Sequence, residues 1–279
     1  MKRLVTLFTF AIAALSALPC ASQKTFFSAW EDRVRSTTAA QPGWATPVIT
    51  TSSGIVQLVR PELTHSYTPT HYVTVNYGNS KGFNFIPYYK TEVDVYLPPY
   101  IVHNNPNVRD GAGDFSMATK YRLFAANEKS GNYSTAVQLM WTLPTGSYKN
   151  GAKFASLTPT FVGGKGFGIF DIQSSIGGLL PVHGAGVTGR AILSNTAVQC
   201  KLAKIYWPEV ELNSTFYVGG PNDGRNQTFI TPGLMINKIK LTHNPTNRLA
   251  LIFGAGMQIA TSQFHTCNHN LVLTSRIAF

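Results

Sequence analysis

The C-terminal stretch Leu271 to Phe279 constrains the fold most tightly. Leu271, Leu273, Ser275, Ile277 and Phe279 share one parity, and Val272, Thr274, Arg276 and Ala278 share the other. That is strict strand alternation with one apolar face, carried to an aromatic last residue. Chain ends usually fray into solvent, so a strand that persists to the terminus needs a partner there. A closed transmembrane barrel supplies one, because its last strand must pair with its first or leave an open edge in lipid. A β-sandwich whose last strand reaches the terminus has the same pattern.

The opposite end favours the barrel. Lys2 and Arg3 precede an apolar run from Leu4 to Leu18, followed by Pro19-Cys20-Ala21-Ser22-Gln23. This is the layout of a secretory signal peptide over residues 1–22, with cleavage expected after Ala21 or Ser22. Leu18 and Pro19 stand where a lipoprotein cysteine would want small residues, so Cys20 is not read as a lipid anchor. The rest of the chain holds no other apolar run of spanning length, so it crosses no membrane as a helix. Yet the sequence is 44% hydrophobic and only 13% charged, which is lean for a soluble export. Its net charge of +11 comes from scattered cations with no basic cluster longer than a pair, which suits a basic lumen or loops near lipopolysaccharide better than a nucleic-acid-binding face. Cys200 and Cys267 remain after cleavage, and the sequence leaves open whether they pair.

Residues 23–52 form a mixed N-terminal segment, expected in the periplasm or inside the lumen, with Phe26, Phe27, Trp30 and Val34 on a short amphipathic turn. From residue 53 to 279 alternation dominates. Val93, Val95 and Leu97 oppose Glu92 and Asp94. Phe115, Met117, Tyr121 and Leu123 oppose Asp114, Lys120 and Arg122. Val137, Leu139 and Trp141 oppose Ser134, Ala136 and Gln138. Phe170, Ile172 and Ile176 oppose Asp171, Gln173 and Ser175. Charges keep to the parity opposite the large apolar residues, as in a barrel with a polar interior. Turns are expected at Glu128–Asn132, Gly163–Gly166 and His243–Asn247, and longer loops at Pro98–Gly113, Pro144–Gly151, Gly177–Gly189 and Gly219–Arg225. Nine strands follow the Pro98–Gly113 loop. Three more, beginning near Gly54, His71 and Gly82, bring the total to twelve, with ten and fourteen as the neighbouring even counts. The expected fold is all-β: a transmembrane, antiparallel, up-and-down barrel.

Gly111-Ala112-Gly113-Asp114, then Lys120-Tyr121-Arg122-Leu123, then Leu143-Pro144-Thr145-Gly146 is the most distinctive series in the chain. It resembles the outer-membrane family associated with the meta-cleavage pathway of phenol degradation, over roughly Asp94 to Gly146 and more weakly along the C-terminal strands. The resemblance implies an outer-membrane channel or transporter barrel passing small, hydrophobic or aromatic compounds, with no catalytic residues. The residues themselves also allow Asp114, Lys120 and Arg122 to be a lumen ion-pair ladder that holds the barrel's shape.

Other constellations are weaker. Glu209 and Glu211 share a face, and paired carboxylates suit acid–base work. Lys238 and Lys240 share a parity on a nearby strand, which favours lumen pairing instead. His265, Cys267 and His269 alternate, and imidazole with thiolate suits zinc or copper, but a fourth ligand is not evident. No metal and no cofactor is therefore expected. A lipase-type outer-membrane enzyme would need a serine, a histidine and a polar orienter together, and no spacing singles out such a trio. The expected function is passive passage or binding of small molecules in a Gram-negative outer membrane. The candidate lumen residues are Glu92, Asp94, Asp114, Lys120, Arg122, Asp171, Glu209, Glu211, Lys238, Lys240 and Arg276. The expected partners are outer-membrane lipid and lipopolysaccharide, the barrel assembly machinery and a small solute. An outer-membrane lipase and a secreted soluble β-sandwich binder are the alternatives.

Overall fold

A computed structural model describes residues 25–79, 81–242 and 248–279. The expected signal peptide and the expected turn at His243–Asn247 lie outside the described residues. A helix, α1 (Phe26–Ala39), opens the described chain, and residues from Arg33 onward form one compact unit. The helical residues before Arg33 group separately, with Phe26 edge-on to Phe27 and to Trp30.

The strands alternate buried and exposed residues with period two, as the sequence pattern requires. They are β1 (Leu58–Val59), β2 (Glu62–Tyr67), β3 (Val73–Tyr77), β4 (Gly82–Tyr88), β5 (Thr91–Tyr96), β6 (Tyr100–His103), β7 (Gly111–Ala112), β8 (Phe115–Ala126), β9 (Tyr133–Leu143), β10 (Ser156–Phe167), β11 (Phe170–Pro181), β12 (Arg190–Cys200), β13 (Tyr206–Val218), β14 (Asn226–Lys240), β15 (Ala250–Ala260) and β16 (His269–Ala278). Every pairing is antiparallel, and β16 closes the sheet against β1 and β2, with Leu58 opposite Ala278 and Tyr67 opposite His269. Each of the first four staves is made of two strands: β1 with β2, β3 with β4, β5 with β6, and β7 with β8. The sixteen strands thus form a closed barrel of twelve staves. A sandwich is excluded, because a closed barrel has no second sheet to cover its apolar outer face.

The outer face is mostly apolar. Tyr121, Ile172, Phe253, Leu273 and Ile277 are exposed, while Lys120, Asp171, Thr274 and Arg276, of opposite parity, are buried. The end of the barrel that carries Leu58 and Ala278 is called the lower end. Its connections at 89–90 and 168–169 are tight, and Gly168 takes the positive φ of 61° that such a turn demands. The upper connections at 104–110, 144–155, 182–189, 219–225 and 261–268 are longer, and 182–189 contains a single helical turn, α2 (Ala185–Thr188).

Three local expectations are corrected. Pro98–Gly113 is not one loop. Pro98 and Pro99 interrupt the third stave, because proline has no N–H for the ladder, and the strand resumes as β6. The breaks at Pro61, Gly78, Pro99 and Gly113 form a row across four staves. It is tied by Gly78 N–H donating to Glu62 O and Gly113 N–H donating to Pro99 O, both at 2.7 Å. The third stave starts at Thr91, and Gly82 opens only the lower half of the second. Lastly, Gly163–Gly166 lies inside β10, and Gly177 lies inside β11. Wall glycines there make room for side chains: a Cβ on Gly164 would sit 2.6 Å from the Trp44 ring, and one on Gly177 would sit 2.5 Å from Thr160 Oγ1.

Candidate functional site: a plugged lumen

Residues 40–57 have neither helical nor strand periodicity, being built of Gln, Pro, Gly, Thr and Ser among a few apolar residues. An irregular segment exposes its backbone N–H and C=O groups. If it is buried, each group must find a side-chain or water partner. Here the segment enters the barrel, and the charged inner wall supplies the partners.

Carboxylates take the amides. Glu209 Oε1 accepts from Val48 N at 3.0 Å. Glu211 accepts from Ile49 N at 2.8 Å and Thr50 N at 2.6 Å, and also from the Thr50 hydroxyl. Glu92 accepts from Val56 N. Cations take the carbonyls. Arg276 donates to Thr46 O at 2.7 Å and Pro47 O at 2.8 Å. Arg60 donates to Val48 O at 2.6 Å while paired with Glu62 at 2.6 Å. Lys120, paired with Glu92 at 2.6 Å, reaches Gly54 O at 3.3 Å. Arg122 donates to Thr37 O at 2.7 Å and Gln41 Oε1 at 2.8 Å. Neutral wall groups complete the set: Gln173 donates to Ala45 O at 2.9 Å and Ser134 to Ser53 O at 2.9 Å. Ala45 and Val48 also pack on the inward apolar residues Trp207, Met235, Ile252 and Val272 of β13 to β16. The plug is therefore seated by both a charged hydrogen-bond frame and an apolar patch, which meet on β13 and β16.

This frame explains where the sequence-derived candidates go. Glu92, Asp94, Lys120, Arg122, Asp171, Glu209, Glu211 and Arg276 are all buried on the inner face. Glu209 and Glu211 hold plug amides rather than lysines. Lys238 and Lys240 lie at the lower end, past an irregularity in pairing between Ile236 and Ile239 that sets Lys240 opposite the buried Ala250, and both border the cavity below the plug. Asp114 is no part of an ion-pair ladder: it precedes β8 and accepts from Gly146 N at 2.8 Å and Ala152 N at 2.6 Å, fastening the 144–155 loop. Asp171 accepts from Gln173 at 3.1 Å, and Gln173 and Gln199 continue the chain to Glu209. Arg60, Glu62, Gln173 and Ser134 belong to the frame and were not singled out by sequence. The first two flank Pro61, where alternation fails; the others were legible only as inward polar residues.

Beside the plug, the charged layer of Lys81, Glu92, Asp94, Tyr96, Lys120 and Arg276 borders a polar cavity of about 60 Å³, room for a few waters. A larger cavity of about 240 Å³ opens below the plug beside Lys238, Lys240 and Arg248. On the outside, an apolar groove of about 640 Å³ runs over Leu234, Phe253, Ala255 and Leu273 to the wall break at Pro61 and Gly78.

The metal and enzyme candidates do not assemble. His265 uses both ring nitrogens within its own loop, on Ser262 O at 2.9 Å and Asn268 Oδ1 at 3.0 Å. His269 stacks on Tyr67 with centroids 4.5 Å apart. Burial pushes the Cys267 thiol up, away from the thiolate a metal needs. No group of three or more metal-ligating side chains forms among the described residues. Cys200 ends β12 at the lower end and Cys267 lies in an upper loop. Both are free, and a strand's length separates them, far beyond disulfide reach. The imidazole of His103 meets the Thr74 hydroxyl at 3.2 Å and Asn150 at 2.7 Å. Both contacts tie β3, β6 and the 144–155 loop together at the upper mouth, and the hydroxyl is a threonine's where a lipase needs a serine.

No family model and no curated protein matches the sequence. Among solved structures, an outer-membrane channel from Pseudomonas putida F1 superposes with a TM-score of 0.57 and 13% sequence identity, covering 85% of this chain and 100% of that chain. The fold is that of an outer-membrane channel. The likeness agrees with the outer-membrane barrel expected from the Gly111–Gly146 series.

Proposed function

We propose that this chain is an outer-membrane channel for small molecules, closed at rest by its own residues 40–57. The observation that carries the reading is the frame itself. Charges buried on the inner wall are spent on the backbone of a segment that belongs to no stave, so the lumen is shaped to hold something removable. A wall meant only to be a solid core would favour apolar filling, since buried charges cost more to desolvate than they return. The lower end, with both barrel termini and the two tightest turns at 89–90 and 168–169, faces the periplasm in this reading, and the upper loops face outward. Apolar or aromatic solutes fit the groove on the lipid-facing wall, which gathers such molecules beside the break at Pro61 and Gly78.

The test is conductance in planar bilayers, with uptake of an aromatic dye into vesicles as a second readout. The intact chain is expected to conduct weakly. Replacing residues 42–53 by a short Gly-Ser linker should raise conductance at least tenfold and speed dye entry. A folded linker variant that conducts no better than the parent would sink the channel reading.

A further inference from the structure

The lower rim carries a feature that the plug does not use. From the second stave round to the ninth, its turns and strand ends present Lys90, Lys129, Lys165, Lys201 and Lys204, all exposed. Exposed rings and apolar side chains are interleaved with them. Tyr88 and Tyr89 adjoin Lys90, and Leu202 and Tyr206 adjoin the last two lysines. Lys165 points outward with Phe161 and Phe167, and its Nζ lies 5.9 Å from the centroids of both Tyr133 and Phe167. The carboxylate in these turns, among the described residues, is that of Glu128, and it accepts from Gly43 N at 2.8 Å. The upper rim is different: Arg109, Lys149, Lys153, Arg190 and Arg225 stand among Asp110, Asp114 and Asp223.

Exposed aromatic rings on a barrel wall mark the headgroup level of the leaflet they face. Lysines at and just beyond those rings therefore lie at the depth of lipid phosphates. Their flexible stems lie along apolar surface while the ammonium stays in the polar layer. An excess of cations at that depth favours lipids with net negative headgroups over zwitterionic ones. We propose that the arc from Tyr88 to Tyr206 binds anionic phospholipids of the periplasmic leaflet, phosphodiesters that carry no compensating amine. The inference rests on the membrane reading above. A lipid occupant is favoured over an acidic protein because Lys90, Lys165 and Lys204 lie beside exposed rings of the outer wall, whereas Lys201 leans inward, its Nζ 5.6 Å from the Trp207 centroid. An acidic protein docking from the periplasm would want them on the surface that faces along the barrel axis.

The experiment uses the full chain in bilayer nanodiscs of equimolar phosphatidylglycerol and phosphatidylethanolamine, with native mass spectrometry of the lipids it retains. Phosphatidylglycerol should be enriched, on the order of fivefold for each lysine engaged. Lys90→Gln, Lys129→Gln, Lys165→Gln, Lys201→Gln and Lys204→Gln combined should bring the ratio close to one. Arg109→Gln, Lys149→Gln, Lys153→Gln, Arg190→Gln and Arg225→Gln combined should leave the enrichment in place. Heat-modifiable mobility on gels reports folding. If the fivefold variant does not fold, Lys165→Gln alone and the Lys201→Gln/Lys204→Gln pair carry the test, each losing part of the enrichment. An inserted parent chain that retains both lipids equally overturns the proposal and leaves the membrane reading standing. Equal retention with salt-sensitive binding of poly-glutamate would reassign the arc to an acidic protein. Failure of the parent chain to insert into any bilayer overturns both.

Discussion

Glu211 shows how a single inner-wall residue decides whether the plug stays. Its two oxygens receive three donors of the plug, from Ile49 and from the amide and hydroxyl of Thr50. Glu211→Ala leaves those donors without the acceptor they are folded around, at about 1–3 kcal/mol for each one that stays dry. The plug should loosen by on the order of 3 kcal/mol while the barrel ladder stays intact. Resting conductance should then rise, with Glu211→Gln between parent and alanine because it keeps one acceptor oxygen. Equal conductance in all three proteins would show that the frame does not seat the plug. Gly164 makes the same point through shape. A Cβ there would meet Trp44 at 2.6 Å and Ser53 Oγ at 2.9 Å, whereas a Cβ on neighbouring Gly163 has nothing nearer than 3.8 Å. Gly164→Val should force Trp44 off its seat and its Asn132 hydrogen bond, at about 1–3 kcal/mol, with a red shift in tryptophan emission. Gly163→Ala should leave the spectrum unchanged.

At the scale of the element, parity was the readable quantity. In β8 the alternation of Ser116, Ala118, Lys120 and Arg122 against Met117, Thr119 and Tyr121 is written in the residue types, and the burial follows it. Most of the long strands from β9 to β16 were legible for the same reason. Three things hid the rest. Prolines and glycines break the first four staves mid-wall, so each looks like two short strands or a strand and a loop. Glycines inside β10 read as a turn because their reason, the Trp44 ring, comes from a distant part of the chain. The plug itself follows no period, and a segment held by long-range side-chain bonds leaves no local signature. Glu209 and Glu211 were visible as an inward pair, but their partners are backbone amides, which no residue type announces. Parity also makes a direct prediction for β9. Leu139 faces lipid and Gln138 borders the polar cavity beside the plug. Leu139→Arg should cost about 2–4 kcal/mol of barrel stability near the midplane, read from denaturant unfolding in bilayers. Gln138→Arg should cost clearly less. Equal damage at the two positions would mean that both faces of β9 are buried in protein.

At the scale of the whole molecule, the inner wall is a nearly balanced set of opposite charges. Glu62, Glu92, Asp94, Asp171, Glu209 and Glu211 stand against Arg60, Lys81, Lys120, Arg122 and Arg276. The plug neutralises these groups locally by offering amides to the carboxylates and carbonyls to the cations. Once it leaves, water must take over, and the wall becomes a wet path whose charge rings choose among ions. With six carboxylates facing five cations, the opened lumen should prefer cations weakly. That preference should appear as a small reversal potential in a salt gradient in the protein whose residues 42–53 are replaced by a linker, which keeps all six carboxylates. Adding Lys120→Gln and Arg122→Gln should strengthen it, because Glu92 then loses its partner and the layer turns net negative. The same pair placed in the plugged parent should act differently. Lys120 and Arg122 hold Gly54 O, Thr37 O and Gln41 there, so the change should lower thermal stability and add little conductance. A stable Lys120→Gln/Arg122→Gln protein with selectivity unchanged, both with the plug and with residues 42–53 replaced by the linker, would show that β8 lines no ion path and that solutes leave the barrel by another route.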